Sequence, residues 1–152
     1  IRYGRDNGFE HKFLATAREI NNQMPRYTVD MLERVHGSLR GAVVALLGLA
    51  YKRDVPDLRE SPALVIREEL EKRGAVVRVF DPLVPGESTS TSTNDALLGA
   101  DAAIIATDHS VFRSLSPEEF LSRGVSLVID GRNCLSKENF LAAGVEYHGI
   151  GR

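Results

Sequence analysis

The segment YKRDVPDLRESP, residues 51–62, sets Lys52, Arg53 and Arg59 among Asp54, Asp57 and Glu60. It follows an apolar run, Val43–Leu47, that reads as a buried strand. It leads into a helical pattern that begins at Pro62, with Ser61 as its cap. A strand-to-helix connection in an α/β unit usually takes about two to six residues, and this one is far longer. Charges spaced in this way have two uses. They can pair among themselves on a solvated surface. Alternatively, Lys52 beyond the strand end and Arg59 before the helix N-terminus can gather the oxygens of an anion such as a phosphate. Open α/β sheets take their ligands at the carboxyl ends of their strands, so the segment is the first place to look for a site.

A second strand end adds a cation. VIDGRNC places Asp130, Gly131 and Arg132 directly after the apolar run Leu127–Ile129. In a parallel sheet this end faces the same edge as the first loop, and an arginine lifted by a glycine turn could meet Lys52 on one ligand. The alternative is a strand-ending turn with Arg132 in solvent. No G-x-G-x-x-G is present, because Gly48-Leu49-Ala50 runs into bulky Tyr51 and Lys52. Asp81 ends a strand where dinucleotide folds keep a ribose-binding carboxylate, but the adjoining Pro82 favours a turn-forming role. Capping by Thr107 or Asp108 accounts for Asp108-His109, and His109 as an acid–base group has no partner evident in the sequence. His11, His36 and His148 are scattered without metal-ligand spacing, and Cys134 reads as a small packing residue. Neither a catalytic nor a metal-binding set is expected.

These residues need a frame. The apolar positions Phe13, Ala17, Ile20, Met24, Tyr27, Met31 and Val35 step by three and four, which predicts a long helix ending at Gly37. Pro25 lies inside it and deletes one backbone hydrogen bond, so a kink is expected there. The length of this stripe suggests a partner helix. After GSLRG, strands alternate with helices: Val43–Leu47, Pro62–Arg73, Val76–Phe80, a short helix in NDALLGA, and Ala102–Ala106. Short helices near 111–112 and 117–122, a strand at Leu127–Ile129, a helix near Lys137–Ala142 and a strand at Val145–His148 complete the pattern. Strands with little alternation, separated by helices, predict a Rossmann-like, three-layer α/β fold with about five parallel strands. The long helix should pack at the sheet's edge or project from it. The Ser/Thr run at 88–93 reads as a solvated loop.

A net charge of -2 gives no general attraction to nucleic acid or to an anionic membrane surface. No apolar run approaches the roughly 20 residues of a membrane span. A lone cysteine excludes an internal disulfide and fits a cytoplasmic setting. The chain starts at Ile1 and its methionines are Met24 and Met31, so it reads as part of a longer protein.

GLAYKRDVPDLRESPAL, VRVFDP and VIDGRNCL resemble three segments of the C-terminal domain of the UDP-glucose/GDP-mannose dehydrogenase family. AREINNQMPRYTV resembles the end of that family's central helix. The resemblance implies that residues 1–37 are the last part of a dimer-forming helix region and residues 38–152 a UDP-sugar-binding domain. It implies oxidation of a nucleotide sugar at C6, alcohol to carboxylate, with two NAD, as in polysaccharide biosynthesis. EINNQMP with DLRESPAL inclines it toward the UDP-N-acetylhexosamine (mannosamine or glucosamine) branch over UDP-glucose. By the same resemblance, Tyr51, Lys52 and Arg132 are substrate contacts, and Arg59 reaches NAD held by another domain. A homodimer through Phe13–Val35 is implied as well. The family's covalent step uses a cysteine in a glycine-rich segment ahead of the helix, which these residues lack, so they should catalyse nothing by themselves. The alternative is a free-standing Rossmann-like nucleotide-binding or regulatory module.

Overall fold

The computed structural model describes residues 12–151. Residues 1–9, whose two glycines and lack of a helical period read as a loop or a frayed end, and His11 lie outside them. The helices are α1 (Lys12–His36), α2 (Pro62–Lys72), α3 (Thr93–Leu97), α4 (Ser110–Arg113), α5 (Pro117–Leu121) and α6 (Lys137–Ala142). The strands are β1 (Val43–Leu47), β2 (Val76–Phe80), β3 (Ala102–Ile105), β4 (Leu127–Asp130) and β5 (Glu146–Gly149). They form one all-parallel sheet in the order β2-β1-β3-β4-β5, the Rossmann-like arrangement expected. Chain order reverses between β1 and β3, the switch point where such sheets open a crevice.

Successive strand residues point to opposite faces, so each strand feeds two cores. Ala45, Leu47, Ala103, Ile105 and Val128 face one side and pack with Phe112, Phe120 and Phe140 of α4, α5 and α6. Val44, Leu46, Ile104 and Ile129 face the other and pack with Ile66 and Leu70 of α2. The long helix belongs to this second layer. Val29 and Leu32 of α1 are fully buried in the same cluster as Val44 and Ile104, so α1 covers a face of the sheet rather than its edge.

Right-handed crossovers explain this position. The β1-to-β2 connection steps one way along the sheet and puts α2 on one face; the later connections step the other way and put α3–α6 on the opposite face. The α2 face is therefore left short of cover over β3 and β4, and α1 supplies it. The buried side of α1 is Pro25, Thr28, Val29 and Leu32, one step round the helix from the expected stripe. Met24, Met31 and Val35 are half-buried, while Phe13 is 83% and Ile20 54% exposed. The helix runs on through Pro25, and Thr28 Oγ1 donates to the Met24 carbonyl.

The Ser/Thr run is not simply solvated. Thr89 Oγ1 accepts the Val79 N–H, Ser88 Oγ accepts the Asp81 N–H, Ser90 is buried and Ser92 caps α3. The Thr89 and Ser88 hydroxyls, with the Thr89 and Ser90 N–H groups on the Val79 carbonyl, satisfy the outer edge of β2, which has no neighbouring strand.

If α1 is part of this core, Leu32→Ala should cost about 2–5 kcal/mol. Phe13→Ala should stay within about 0.5 kcal/mol in dilute solution. Urea unfolding of both variants measures the difference, and equal effects would contradict the placement of α1.

Candidate functional site

Strand register brings the candidate residues to one edge. Leu47 lies level with Phe80 and Ile105, and Ile105 with Asp130. The residues that follow these four positions therefore emerge together. Two glycines allow the close approach. At Gly48, φ is +90°, and a Cβ there would lie 2.6 Å from the Thr107 Cβ. At Gly131 a Cβ would lie 2.9 Å from the Ile105 carbonyl oxygen.

Asp81 holds the start of the long loop. It is fully buried, and its Oδ2 accepts the N–H groups of Leu49 at 2.6 Å and Ala50 at 2.9 Å. Oδ1 accepts the Leu83 N–H at 2.9 Å, the turn-forming bond that Asp81-Pro82 suggests. His109, also buried, has Nε2 3.0 Å from Asp81 Oδ2, and its Nδ1 accepts the Asp54 N–H at 2.9 Å. Since Nδ1 accepts, the proton sits on Nε2 and is donated to Asp81. Burial would push the Asp81 carboxyl up, but the donors from Leu49, Ala50, Leu83 and His109 outweigh it and hold it below its ordinary value. Ser61 Oγ donates to the Leu49 carbonyl and Thr107 Oγ1 to the Ala50 carbonyl, each at 2.6 Å.

The loop's charges then divide. The Nε of Arg53 donates to Asp108 Oδ2 at 2.9 Å and Nη2 closes the fork on the same oxygen. Burial works against the charged form of Asp108, but Arg53 with nearby Arg132 keeps its carboxyl below the usual range. Asp54 accepts from the N–H and hydroxyl of Ser110. Arg59 grips Asp57 through Nε and Nη2 at 2.9 and 2.7 Å, and the hydrogen bond from Arg59 lowers the Asp57 carboxyl to about 2. Among the described residues, the Lys52 ammonium has no hydrogen-bond or ion-pair partner. The surface-pairing use of this loop thus accounts for two of its cations, and Lys52 is left over.

Tyr51, Lys52 and Arg132 line one cleft of about 1110 Å³, together with Glu60 and Ser61 before α2 and with Asn21 on α1. Tyr51 is 46% exposed, leaving its ring open to a ligand. Arg59 does not line the cleft; its side chain is 89% exposed on the loop surface. Asp130, level with the strand end, turns inward. Its carboxylate accepts the N–H groups of Arg132, Cys134 and Leu135 and the hydroxyl of Tyr147, fixing the turn from which Arg132 projects.

Neither Thr107 nor Asp108 caps α4, as the sequence suggested; His109 occupies that position, and its side chain makes no capping bond. Those side chains are committed to the β1 loop instead. The pairs Arg53–Asp108 and His109–Asp81 span 55 and 28 positions, so no local sequence signal marks them. Burial and the carboxylates of Asp130 and Asp108 push the Cys134 thiol up to about 12, which keeps it protonated and suits a packing role. Among the described residues, no group of three or more acidic, histidine or cysteine side chains could hold a metal ion.

Residues 45–137 match the UDP binding domain of the UDP-glucose/GDP-mannose dehydrogenase family. A UDP-glucose 6-dehydrogenase of Bacillus subtilis is 32% identical across 94% of this chain and 35% of its own length. The solved UDP-D-ManNAc dehydrogenase of Pyrococcus horikoshii superposes with a TM-score of 0.84 at 35% identity, over 94% of this chain and 34% of that one. A UDP-glucose dehydrogenase structure from Pyrobaculum islandicum gives 0.80 at 33% identity, over 99% and 34%. The chain spans about a third of the length of these relatives. No helix among the described residues is long and apolar enough to cross a membrane.

The Asp81 carboxyl is lowered on folding, so the stability it contributes is complete above its unfolded value, about pH 4, and is lost as pH falls through the folded value. Asp81→Asn should cost about 1–3 kcal/mol at pH 7. It should also flatten the loss of stability below about pH 4. Urea unfolding across this range measures both, and an unchanged acid limb would contradict the role given to Asp81.

Proposed function

The chain belongs to the UDP-glucose/GDP-mannose dehydrogenase family, and from this we propose that it forms the UDP-sugar-binding portion of an NAD-dependent nucleotide-sugar 6-dehydrogenase. The substrate would be a UDP-N-acetylhexosamine or UDP-glucose, oxidised at C6 from alcohol to carboxylate. NAD takes up the two hydrides that this four-electron oxidation releases. On this reading residues 38–152 bind the UDP-sugar and residues 1–37 end a helix region that pairs two copies.

One observation carries the reading: Lys52 and Arg132 flank a single cleft with Tyr51, and Lys52 has no partner of its own. A UDP group brings two phosphates, which suit an ammonium and a guanidinium, and a flat base, which can lie beside an aromatic ring. Asp81 and Asp130 hold the backbone on either side by accepting main-chain N–H groups, so the cations are pre-placed and little ordering remains on binding. Arg59 suits NAD phosphate oxygens because it stands outside the cleft and only part of its donor set is taken by Asp57.

Each charge-assisted contact contributes roughly 1.5–3 kcal/mol. Lys52→Ala and Arg132→Ala should therefore weaken UDP binding, read by calorimetry, by about tenfold or more. In the dehydrogenase they should raise the nucleotide-sugar KM, while Arg59→Ala should mainly raise the NAD KM. If all three variants left both constants unchanged, the cleft would not be the UDP site.

The homodimer through Phe13–Val35 rests on Phe13, Ile20 and Tyr27, which remain exposed on α1, whose buried residues are Pro25, Thr28, Val29 and Leu32. A C2 pairing of two such stripes would cover them. Sedimentation should give a dimer that Ile20→Glu dissociates; a wild-type monomer at high micromolar concentration would contradict it.

A further inference from the structure

Asp108 meets guanidinium groups from three segments. Its Oδ2 accepts from the Arg53 fork on the β1 loop, and Arg113 Nη1 from α4 lies 3.6 Å from the same oxygen. Its Oδ1 lies 3.4 Å from Nε of Arg132 on the β4 loop. The Asp108 side chain is only 8% exposed. A structural anchor needs one arginine for one carboxylate. Three guanidinium groups repel one another, and an anion from outside would add to the relief that Asp108, and Asp54 beside Arg53, already give.

The geometry at Arg132 shows where that anion would sit. Asp108 Oδ1 faces the Nε edge as an ion pair at 3.4 Å, and among the described residues Nη1 and Nη2 have no partner. Arg132 also lines the cleft. A guanidinium held by its Nε edge presents its two terminal amino groups as a pair, which matches two oxygens of one phosphate.

We propose that Asp108 is a positioning residue of the anion site: it holds Arg132 by Nε so that the Nη pair faces the cleft. The inference rests on the reading of Arg132 as a phosphate contact and adds the residue that aims it.

A double-mutant cycle tests it, with UDP as the probe and the chain titrated by calorimetry. Asp108→Asn keeps the side-chain shape and should weaken UDP binding about five- to tenfold in the wild-type background. In the Arg132→Ala background the same change should cost less than about twofold, because the residue it acts through is gone. Equal losses in both backgrounds would mean that Asp108 is only structural, and would overturn the proposal. Should Asp108→Asn fail to fold, the wild-type chain still decides. The Nε–H resonance of Arg132, identified by its loss in Arg132→Lys, should be protected from solvent exchange before ligand is added, and rapid exchange would overturn the proposal. A different result would strike the underlying reading: wild-type and Arg132→Ala chains of equal UDP affinity would remove Arg132 from the UDP site, and this inference with it.

Discussion

Leu49 and Ala50 turn their N–H groups inward onto a carboxylate that belongs to a different strand, and the geometry of the site follows from that bond. Asp81 is buried completely and receives donors from the β1 loop, from its own turn and from His109 beyond β3. An ionised carboxylate in such a place is tolerable only when its lone pairs are filled. Here they are filled by backbone groups that would otherwise be orphaned where β1 ends. One interaction therefore ties three adjacent strand ends and fixes the direction in which residues 51–60 leave the sheet. In folds with a glycine-rich fingerprint, the equivalent N–H groups cradle a phosphate. In this chain Leu49 and Ala50 spend them on Asp81, so an anion must be met by side chains farther along the loop.

That substitution explains the loop's composition. Once residues 48–50 are committed, Tyr51 and Lys52 are the next residues to reach the cleft, and the rest of the segment holds them out. Arg53 and Asp54 latch onto Asp108, His109 and Ser110, and the Tyr51 N–H donates to the Asp57 carbonyl at 2.7 Å. Two residues, Asp54 and Glu60, adopt positive φ of 55° and 57° in this short span. An aspartate tolerates that conformation better than a glutamate, and Glu60 takes it where the chain turns to deliver Ser61 as the cap of α2. The loop is thus long because it spans from β1 across to the β3 loop and back before α2 starts.

Much of this frame was legible in the sequence. The strands appear within about one residue of their expected bounds, because each is an apolar run short enough to be a buried parallel strand. The shared edge of Lys52 and Arg132 was legible for the same reason, since parallel strands end on one side. The face of α1 was not, because Tyr27 and Met31 have the same spacing as Thr28 and Leu32, and only the sheet's uncovered surface chooses between them. The Ser/Thr run looked solvated because backbone groups on an edge strand leave no mark in composition. Asp108 looked like a local capping residue and His109 like a residue without a partner, because their partners, Arg53 and Asp81, are distant along the chain and close only in the folded sheet.

The cation-bearing loops after β1 and β4 are proposed to form one site for UDP. Backbone amide shift mapping of the chain during titration with UDP tests it most directly. The largest changes should fall together on Tyr51, Lys52, Gly131 and Arg132, with Leu49 and Ala50 nearly unmoved because Asp81 already holds them. Changes centred elsewhere, or on Leu49 and Ala50 with Lys52 and Arg132 silent, would contradict it.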